Sequence, residues 1–182
     1  EIKRIQRTLR VTTIFVTHDQ SEAMAMSDRI IVFEGGRIRQ DGVPLEVYQH
    51  PRTEFVARFV GDSNLLRARV VDAAAGLLDA EGLGRVQVSP GQAVPGDETL
   101  LLLRPEALVP AGDGAANRLM LSVEEVVQFG DSALVIGRAG GAVLRARIPG
   151  RAALGMAQGS VVPMAWAPEA AHLIMHDAAR AA

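Results

Sequence analysis

The sequence predicts an α+β protein in which a short α/β segment precedes an all-β barrel or sandwich. Up to residue 60, short apolar runs typical of strands alternate with helical patterns. After residue 65 the helical periodicity disappears, and short runs rich in valine and leucine are separated by Gly, Pro and Asp. We therefore expect one domain over residues 1–61, a second over residues 62–177, and a disordered tail at residues 178–182.

Composition indicates a core-forming protein. Of the 182 residues, 48% are hydrophobic and 22% charged, and the net charge of −2 gives no electrostatic argument for nucleic acid or an anionic membrane. The absence of cysteine excludes a disulfide framework, and no apolar stretch approaches the about 20 residues of a membrane span. Because the sequence starts Glu1-Ile2-Lys3-Arg4, without Met, we expect the interior of a longer polypeptide.

The first elements are expected to place a histidine after a buried strand. Residues 1–9 are helical in pattern, and the β-branched run over residues 12–17 predicts a strand buried on both faces. His18 follows this run, and Asp19 is the predicted N-cap of a helix over residues 20–26. Open α/β sheets carry their ligand chemistry at the carboxyl ends of strands.

The rest of the first segment is predicted to contain a hairpin and two helices. Gly35 and Gly36 suit a tight turn, because glycine tolerates positive φ. Thr53 is a predicted N-cap and Gly61 a helix stop. The expected strands are residues 28–33 and 37–40, and the expected helices are residues 44–48 and 54–60.

Eight strands are predicted in the second segment. A hairpin is expected at Gly140-Gly141, and no convincing internal repeat is visible, although a loop at residues 110–116 separates two β-rich halves. The predicted strands are residues 65–71, 85–88, 99–104, 118–129, 133–138, 142–148, 161–166 and 172–175.

His18 allows two interpretations. A lone histidine after a strand is commonly a core residue, whereas a ring between a strand and a helix start can also donate to a phosphate oxygen. The chain itself cannot contain a phosphate-binding P-loop, because that motif needs a lysine after a glycine-rich loop. Lys3, the only lysine, is followed by Arg4 and preceded by no glycine.

The residues around His18 resemble a known family. Residues 12–23, Thr-Thr-Ile-Phe-Val-Thr-His-Asp-Gln-Ser-Glu-Ala, closely resemble the switch (H-loop) region of ATP-binding-cassette (ABC) importer ATPases. The resemblance continues through the last strands of that domain and into its accessory TOBE domain, a transport-associated OB-type barrel. The further matching segments are residues 27–33, 36–42, 44–51, 55–61, 64–66, 104–108 and 166–169.

The resemblance implies a truncated α/β end of a nucleotide-binding domain followed by an OB-fold-like TOBE barrel. It implies that His18 contacts the γ-phosphate of ATP in the full-length protein. The P-loop, the magnesium aspartate, the catalytic glutamate and the signature motif precede residue 1 in such proteins. We therefore expect ATP and magnesium in the full-length parent only, and no cofactor, no metal and no ATP hydrolysis in this fragment. Val43 departs from the Thr or Ser that often caps the next helix in this family.

The resemblance also implies partners and a location. The partners would be a second copy, bound through the TOBE domain, and inner-membrane permease subunits, with no nucleic acid. The full-length subunit would lie on the cytoplasmic face of the inner membrane, held there by the permease. It would energise uptake of a polyamine, iron or a similar solute, and the β domain would regulate it.

Two other functions are compatible with parts of the sequence. Because related barrels bind oxyanions, the strand-alternating pairs Arg67/Arg69 and Arg145/Arg147 could serve a molybdate-like binding module, although they are expected to face solvent. A metal-dependent hydrolase around His18 and Asp19 would need further ligands, and His50 is the only other histidine in the α/β part.

Several other residues receive structural interpretations. His172 and His176 have the spacing of a helical metal pair, but their surroundings are strand-like and a metal site is disfavoured. Arg104 and Glu106 are expected to form a local ion pair on the barrel rim, on either side of Pro105, which ends a strand. Trp166 and Phe129 are predicted to be core residues.

The predicted strand over residues 12–17 has no neighbours in this sequence to cover it. We expect its apolar side chains to be exposed, and residues 1–60 to be rearranged, swapped with a second copy or shielded by dimerisation.

Overall fold

A computed structural model describes residues 2–90 and 94–175 of the chain. The chain divides into two compact units, Glu1–Gly61 and Asp62–Ala182, which are described separately below. None of the helices in the described ranges has the length and apolar character needed to cross a membrane. The predicted tail at residues 178–182 lies outside the described residues.

Over its described residues, the first unit combines four short helices with one antiparallel hairpin. The predicted turn is confirmed, since Gly35 and Gly36 adopt φ values of 56° and 76° between the two strands. In chain order the elements are α1 (Ile2–Leu9), α2 (Gln20–Met26), β1 (Ile30–Glu34), β2 (Arg37–Gly42), α3 (Pro44–Gln49) and α4 (Glu54–Phe59).

A side-chain cap sets the start of α4, whereas α3 begins without one. The Thr53 hydroxyl accepts a hydrogen bond from Val56 N at 3.2 Å, so the predicted cap of α4 is confirmed. Val43 makes no side-chain cap bond, and α3 instead begins with Pro44, whose fixed φ suits a first helical turn. The small apolar core of this unit consists of Val32, Val47, Val56 and Val60.

The strand predicted over residues 12–17 is wrong. The segment carries no regular secondary structure, and Ile14 and Val16 are 90% and 91% exposed. A strand exists only through hydrogen bonds to a neighbour, and in this unit the two described strands pair with each other. The β-branched composition predicted a strand, but it does not indicate whether a neighbouring strand is available to pair with it. The expected exposure of apolar side chains here is confirmed.

In its described residues, the second unit is built from ten strands in two five-stranded sheets. All eight predicted strands are present. The strands are β3 (Asn64–Asp72), β4 (Leu77–Ala80), β5 (Gly84–Gln87), β6 (Glu98–Leu103), β7 (Val109–Pro110), β8 (Asn117–Gln128), β9 (Ser132–Ala139), β10 (Ala142–Pro149), β11 (Val161–Trp166) and β12 (Ala171–Met175). The sequence missed β4 and β7, which are short and contain Ala, Asp or Pro, residues depleted in strands.

The two sheets have the same topology, which reveals an internal repeat that the sequence did not. One sheet has the order β12-β6-β3-β4-β5 and the other, written from its opposite edge, β7-β11-β8-β9-β10. Each half of the unit supplies a long strand, a hairpin, a fourth strand, a 3-10 turn and a last strand. The 3-10 turns Pro105–Ala107 and Pro168–Ala170 share the sequence Pro-Glu-Ala. The last strand of each half joins the sheet of the other half.

Two buried asparagines connect the sheets. Asn64, which begins β3, donates from Nδ2 to Arg145 O at 2.9 Å and accepts from Arg145 N at 2.8 Å. Asn117, which begins β8, makes the same pair of bonds with Gln87 O and N, at 2.8 and 2.7 Å. Each carboxamide therefore makes the pair of hydrogen bonds that the backbone of a neighbouring strand would make. It thereby pairs the N–H and C=O groups of one residue of an edge strand in the opposite sheet.

The main hydrophobic core lies in this unit and draws residues from both sheets. Alternation along β10 is complete, with Leu144, Ala146 and Ile148 buried and Arg145 and Arg147 exposed. The predicted solvent-facing position of the arginine pairs is thereby confirmed, since Arg67 and Arg69 are also exposed on β3.

Replacing Asn117 by Ala is expected to destabilise the second unit by about 1–3 kcal/mol, because Gln87 N–H and C=O lose their partner at a partly buried position. The measurement is urea unfolding followed by the fluorescence of Trp166, the only tryptophan in the chain and a residue of this unit. Gln128→Ala, at the exposed end of β8, is the control and should change the unfolding free energy by less than about 0.5 kcal/mol. Equal effects of the two substitutions would contradict the bridging role.

Candidate functional site

His18 lies in a bend immediately before α2, and its side chain is exposed. The interpretation of His18 as a buried core histidine is therefore wrong. The residue follows the irregular segment over residues 12–17 and precedes Asp19, the N-cap of α2.

Hydrogen bonds on both sides of His18 fix the course of the backbone. The Thr17 hydroxyl accepts from Asp19 N at 2.9 Å and donates to Glu22 Oε2 at 3.0 Å, which ties the residue before His18 to the first turn of α2. The Asp19 carboxylate accepts from Glu22 N at 3.1 Å and from the Ser21 hydroxyl, so the predicted cap is confirmed. The imidazole therefore projects into solvent from a backbone held at both neighbours.

The electrostatics of this turn favour a charged Asp19. The hydrogen bond from the Ser21 hydroxyl, followed by the one from Glu22 N, lowers the pKa of Asp19, and the nearby His18 contributes in the same direction. The cap is thus ionised across the neutral pH range.

Two glutamines hold the elements around this turn. Gln20 Oε1 accepts from Gly61 N at 2.7 Å, which ties the start of α2 to the end of α4. The buried Gln40 donates to His50 O at 3.0 Å and accepts from Arg52 N at 2.8 Å, so it joins β2 to the connection between α3 and α4. Sequence reasoning missed both residues, because a polar side chain in a polar run gives no sign that it will be buried.

A bidentate ion pair braces the hairpin. Arg29 Nε and Nη2 lie 2.6 and 2.7 Å from the two carboxylate oxygens of Asp41. The Arg29 guanidinium lowers the pKa of Asp41, and the carboxylate raises the pKa of Arg29.

Within residues 2–90 and 94–175, no group of three or more His, Asp or Glu side chains could hold a metal ion. His172 lies in β12, where successive side chains alternate between faces, so the helical spacing to His176 does not apply to it. His176 itself lies outside the described residues. Among the described residues, His18 and His50 are the exposed histidines, and no magnesium ligand set accompanies them.

The arginine pairs named for an oxyanion site have carboxylate neighbours. Arg69 Nη2 lies 3.4 Å from Glu98 Oε1, and a groove of about 500 Å³ beside it is lined by more carboxylates than guanidinium groups. Arg147 Nη2 lies 3.7 Å from Asp62 Oδ2, and its guanidinium carbon lies 5.3 Å from the Phe129 ring centroid. Neither pair forms a concave cationic site.

The structure places Trp166, Phe129 and Arg104 in three different environments. Trp166 is 3% exposed, so its core position is confirmed, but Phe129 is 54% exposed and its predicted core position is wrong. Phe129 follows the last residue of β8 and packs under Arg147 at the surface. Arg104 is buried, not exposed on a rim, and its Nη1 donates to Asp62 O at 3.1 Å. The ion pair between Arg104 and Glu106 stays a prediction.

Comparison with known proteins identifies the family. The TOBE domain family matches residues 101–174. The spermidine/putrescine import ATP-binding protein PotA of Acidothermus cellulolyticus is 38% identical over 185 residues, covering 97% of this chain and 48% of that protein. The chain belongs to the ABC importer ATPase family. It corresponds to the C-terminal part of these subunits and spans less than half the length of the curated relatives it matches.

Two further relatives show the range of the family. PotA of Haemophilus ducreyi is 47% identical over 113 residues, which cover 60% of this ABC importer chain and 30% of that protein. The sulfoquinovosyl glycerol transport ATP-binding protein SmoE of Agrobacterium fabrum is 40% identical over 153 residues, covering 82% and 42%. Similar chains thus occur in transporters named for different solutes.

A solved structure supports the fold of the β-rich unit. The cytoplasmic molybdate-binding protein ModG aligns with a TM-score of 0.55 at 16% identity, over 62% of this chain and 95% of that chain. At this identity the similarity concerns the fold alone. The second unit is an OB-like TOBE β domain.

Replacing Asp19 by Ala is expected to loosen α2, because Glu22 N–H loses its acceptor at the helix start. Amide hydrogen exchange should become faster over residues 20–26 and stay unchanged in α4, which has its own Thr53 cap. Because the folded-state pKa of Asp19 is below its ordinary value of 3.8, its contribution is fully present above pH 3.8 and is lost as the pH falls below it. Ser27→Ala is the control at the other end of α2, and equal effects would contradict the cap.

Proposed function

We propose that this chain is the regulatory and dimerisation part of the ATP-hydrolysing subunit of an ABC importer, and that it supplies the switch histidine to the ATP site of the complete subunit. The observation that carries the proposal is the alignment of nearly the whole chain, including His18 and the TOBE domain, with import ATP-binding proteins.

His18 would donate a hydrogen bond to the γ-phosphate of ATP. Phosphoryl transfer depends mainly on positioning and charge stabilisation, so a histidine that contacts the terminal phosphate acts through its location. Its exposure and the Thr17 and Asp19 bonds on either side support this role, because the ring is accessible and the backbone on both sides of it is held. Magnesium and the remaining phosphate contacts would come from other residues of the complete subunit.

The residues described here do not form an ATP site alone. They include no glycine-rich loop with a lysine and no carboxylate group suited to magnesium, and His18 is the imidazole proposed to reach the phosphate. We propose that the 182-residue chain neither binds ATP with useful affinity nor hydrolyses it.

The proposed partners are a second copy of the chain and the permease. The TOBE domains of two subunits would contact each other and keep the dimer together while the ATP sites open and close. The complete subunit would attach to the cytoplasmic side of an inner-membrane permease. A polyamine is the favoured solute because several of the most similar relatives are named for spermidine and putrescine, with iron or a similar solute as the broader class.

In the complete subunit, His18→Ala is expected to lower the ATPase rate by roughly 10²-fold or more, because a preorganised donor to the developing phosphate charge is lost. The measurement is phosphate release by subunits assembled with their permease. His172→Gln, in β12 of the other unit, is the control and should keep the rate within about twofold of the parent. In the isolated 182-residue chain, MgATP should leave the thermal unfolding midpoint unchanged. A loss of activity in both variants, or stabilisation of the isolated chain by MgATP, would contradict the proposal.

The isolated chain is expected to dimerise through its β domain even when the exposed apolar segment is made polar. Ile14→Asp combined with Val16→Asp should reduce aggregation, since both side chains are about nine-tenths exposed, but should leave a dimer in sedimentation-velocity analysis. Conversion of the dimer to a monomer by these two substitutions would show that residues 11–17, and not the TOBE domain, hold the copies together. A monomeric parent chain would contradict dimerisation altogether.

A further inference from the structure

We propose that the loop between β7 and β8 carries a modification site, at which Asp113 converts spontaneously to isoaspartate. The loop spans residues 111–116, and Gly114 follows Asp113 directly. Isoaspartate is the substrate of carboxyl methyltransferases that use S-adenosylmethionine, so this residue would also accept a methyl group from such an enzyme. The site is separate from His18 and does not depend on the role proposed for it.

The chemistry is an intramolecular dehydration followed by a hydrolysis. The Gly114 nitrogen attacks Cγ of the protonated Asp113 carboxyl group. The N–Cγ bond forms, the bond from Cγ to the hydroxyl oxygen breaks, and the proton of the nitrogen leaves with the hydroxyl as water. A water molecule then adds to the main-chain carbonyl carbon of Asp113 and breaks its bond to the nitrogen, so the chain continues through Cγ. No oxidant, reductant or cofactor is needed.

The first observation is that both reacting groups are accessible and unrestrained. Asp113 and Gly114 are exposed and lie in a turn. Within the described residues, neither the Asp113 carboxylate nor the Gly114 N–H makes a hydrogen bond or an ion pair. Gly114 has a φ of 75°, and no atom lies within 4 Å of the position that a Cβ would take there. Because glycine has no side chain to hinder the attack, the nitrogen can approach Cγ from an open side.

The second observation is that the other Asp-Gly sequence of the chain, Asp41-Gly42, is restrained. It lies in β2, where Asp41 pairs with Ile31 and Gly42 with Ile30, and Gly42 is buried. Both carboxylate oxygens of Asp41 are also held by Arg29. Ring closure there requires the strand to open and the ion pair to break. The fold therefore separates the reactivities of two identical dipeptides.

The third observation is that the ends of the loop are held independently of Asp113. Ala111 N donates to Pro163 O at 2.9 Å, and Asn117 bonds to the backbone of Gln87. Isomerisation adds one methylene to the main chain and leaves its charge unchanged. The extra length can be taken up within residues 112–116, so the sheets can keep their register and the modified chain can stay folded.

The test stores the 182-residue chain in a mildly acidic buffer made with heavy-oxygen water and follows both Asp-Gly peptides by peptide mapping. Hydrolysis of the imide introduces one solvent oxygen, and a purified isoaspartate methyltransferase detects the product. Asp113 should react roughly tenfold or more faster than Asp41, because exposed loops rearrange more readily than paired strands. Equal rates, or a faster reaction at Asp41, would overturn the proposal.

A denatured sample separates the effect of the fold from that of the neighbouring sequence. In concentrated urea both dipeptides lose their native surroundings, so Asp41 and Asp113 should react at similar rates. If the advantage of Asp113 persisted unchanged in urea, its reactivity would come from adjacent residues, and the structural argument would fail.

Two matched variants identify the residue. Asp113→Glu keeps the negative charge but can close only a less favourable six-membered ring, so methyl transfer to the stored chain should be largely lost. Asp131→Glu makes the same change at another exposed position and should leave methyl transfer unchanged. Undiminished methyl transfer in Asp113→Glu would place the modification elsewhere, and an equal loss in both variants would contradict the assignment to Asp113.

Discussion

The architecture of the β-rich unit depends on the side-chain carboxamides of two asparagines. They bond to the backbone of edge strands at places where no further strand pairs. Asn64 and Asn117 are buried, and each exchanges a donor and an acceptor with the backbone of an edge strand in the opposite sheet. Because a buried peptide group without a partner is costly, these bonds allow the sheet edges at Arg145 and Gln87 to be covered without a further strand. The long strands β3 and β8 start at these residues, so the register of both sheets is tied to the same two contacts.

The first unit differs in that one apolar segment pairs with no strand among the described residues. Residues 12–17 have the composition of a central strand but form no regular secondary structure, and residues 12–16 are exposed. The following turn is nevertheless ordered by local bonds from Thr17 and Asp19, which need no neighbouring strand. The position of His18 thus depends on side chains within five residues of it. The conformation of the segment that precedes it depends on a neighbouring strand, which these local bonds do not replace.

The sequence predicted elements wherever a local signal decides them. Asp19 and Thr53 were identifiable as caps because a short acceptor side chain before an apolar helical pattern satisfies free N–H groups. The Gly35-Gly36 turn was identifiable for the same kind of reason. Residues 12–17 were mispredicted because strand formation depends on a partner, and Phe129 because an aromatic residue after a strand can also cover a guanidinium.

Long-range features escaped prediction because their signals are spread across the chain. The repeat is marked by two asparagines and by two Pro-Glu-Ala turns, which became recognisable only when the two sheets showed the same strand order. Gln20 and Gln40 became identifiable only through the backbone atoms they reach. For the site, the resemblance located His18, but no local pattern indicated that the Trp166 indole N–H would be buried without a partner among the described residues.

The exchange of last strands between the two halves has a consequence for the order in which the chain can fold during synthesis. The edge of the first sheet at β6, residues 98–103, is completed by β12, residues 171–175, so about seventy residues must follow before that strand gains its second neighbour. A nascent chain that carries only the first half therefore exposes one edge of a strand that ends in four consecutive leucines. Folding of the two halves is thereby coupled, and the first half stays open to unwanted strand pairing until the second has left the ribosome.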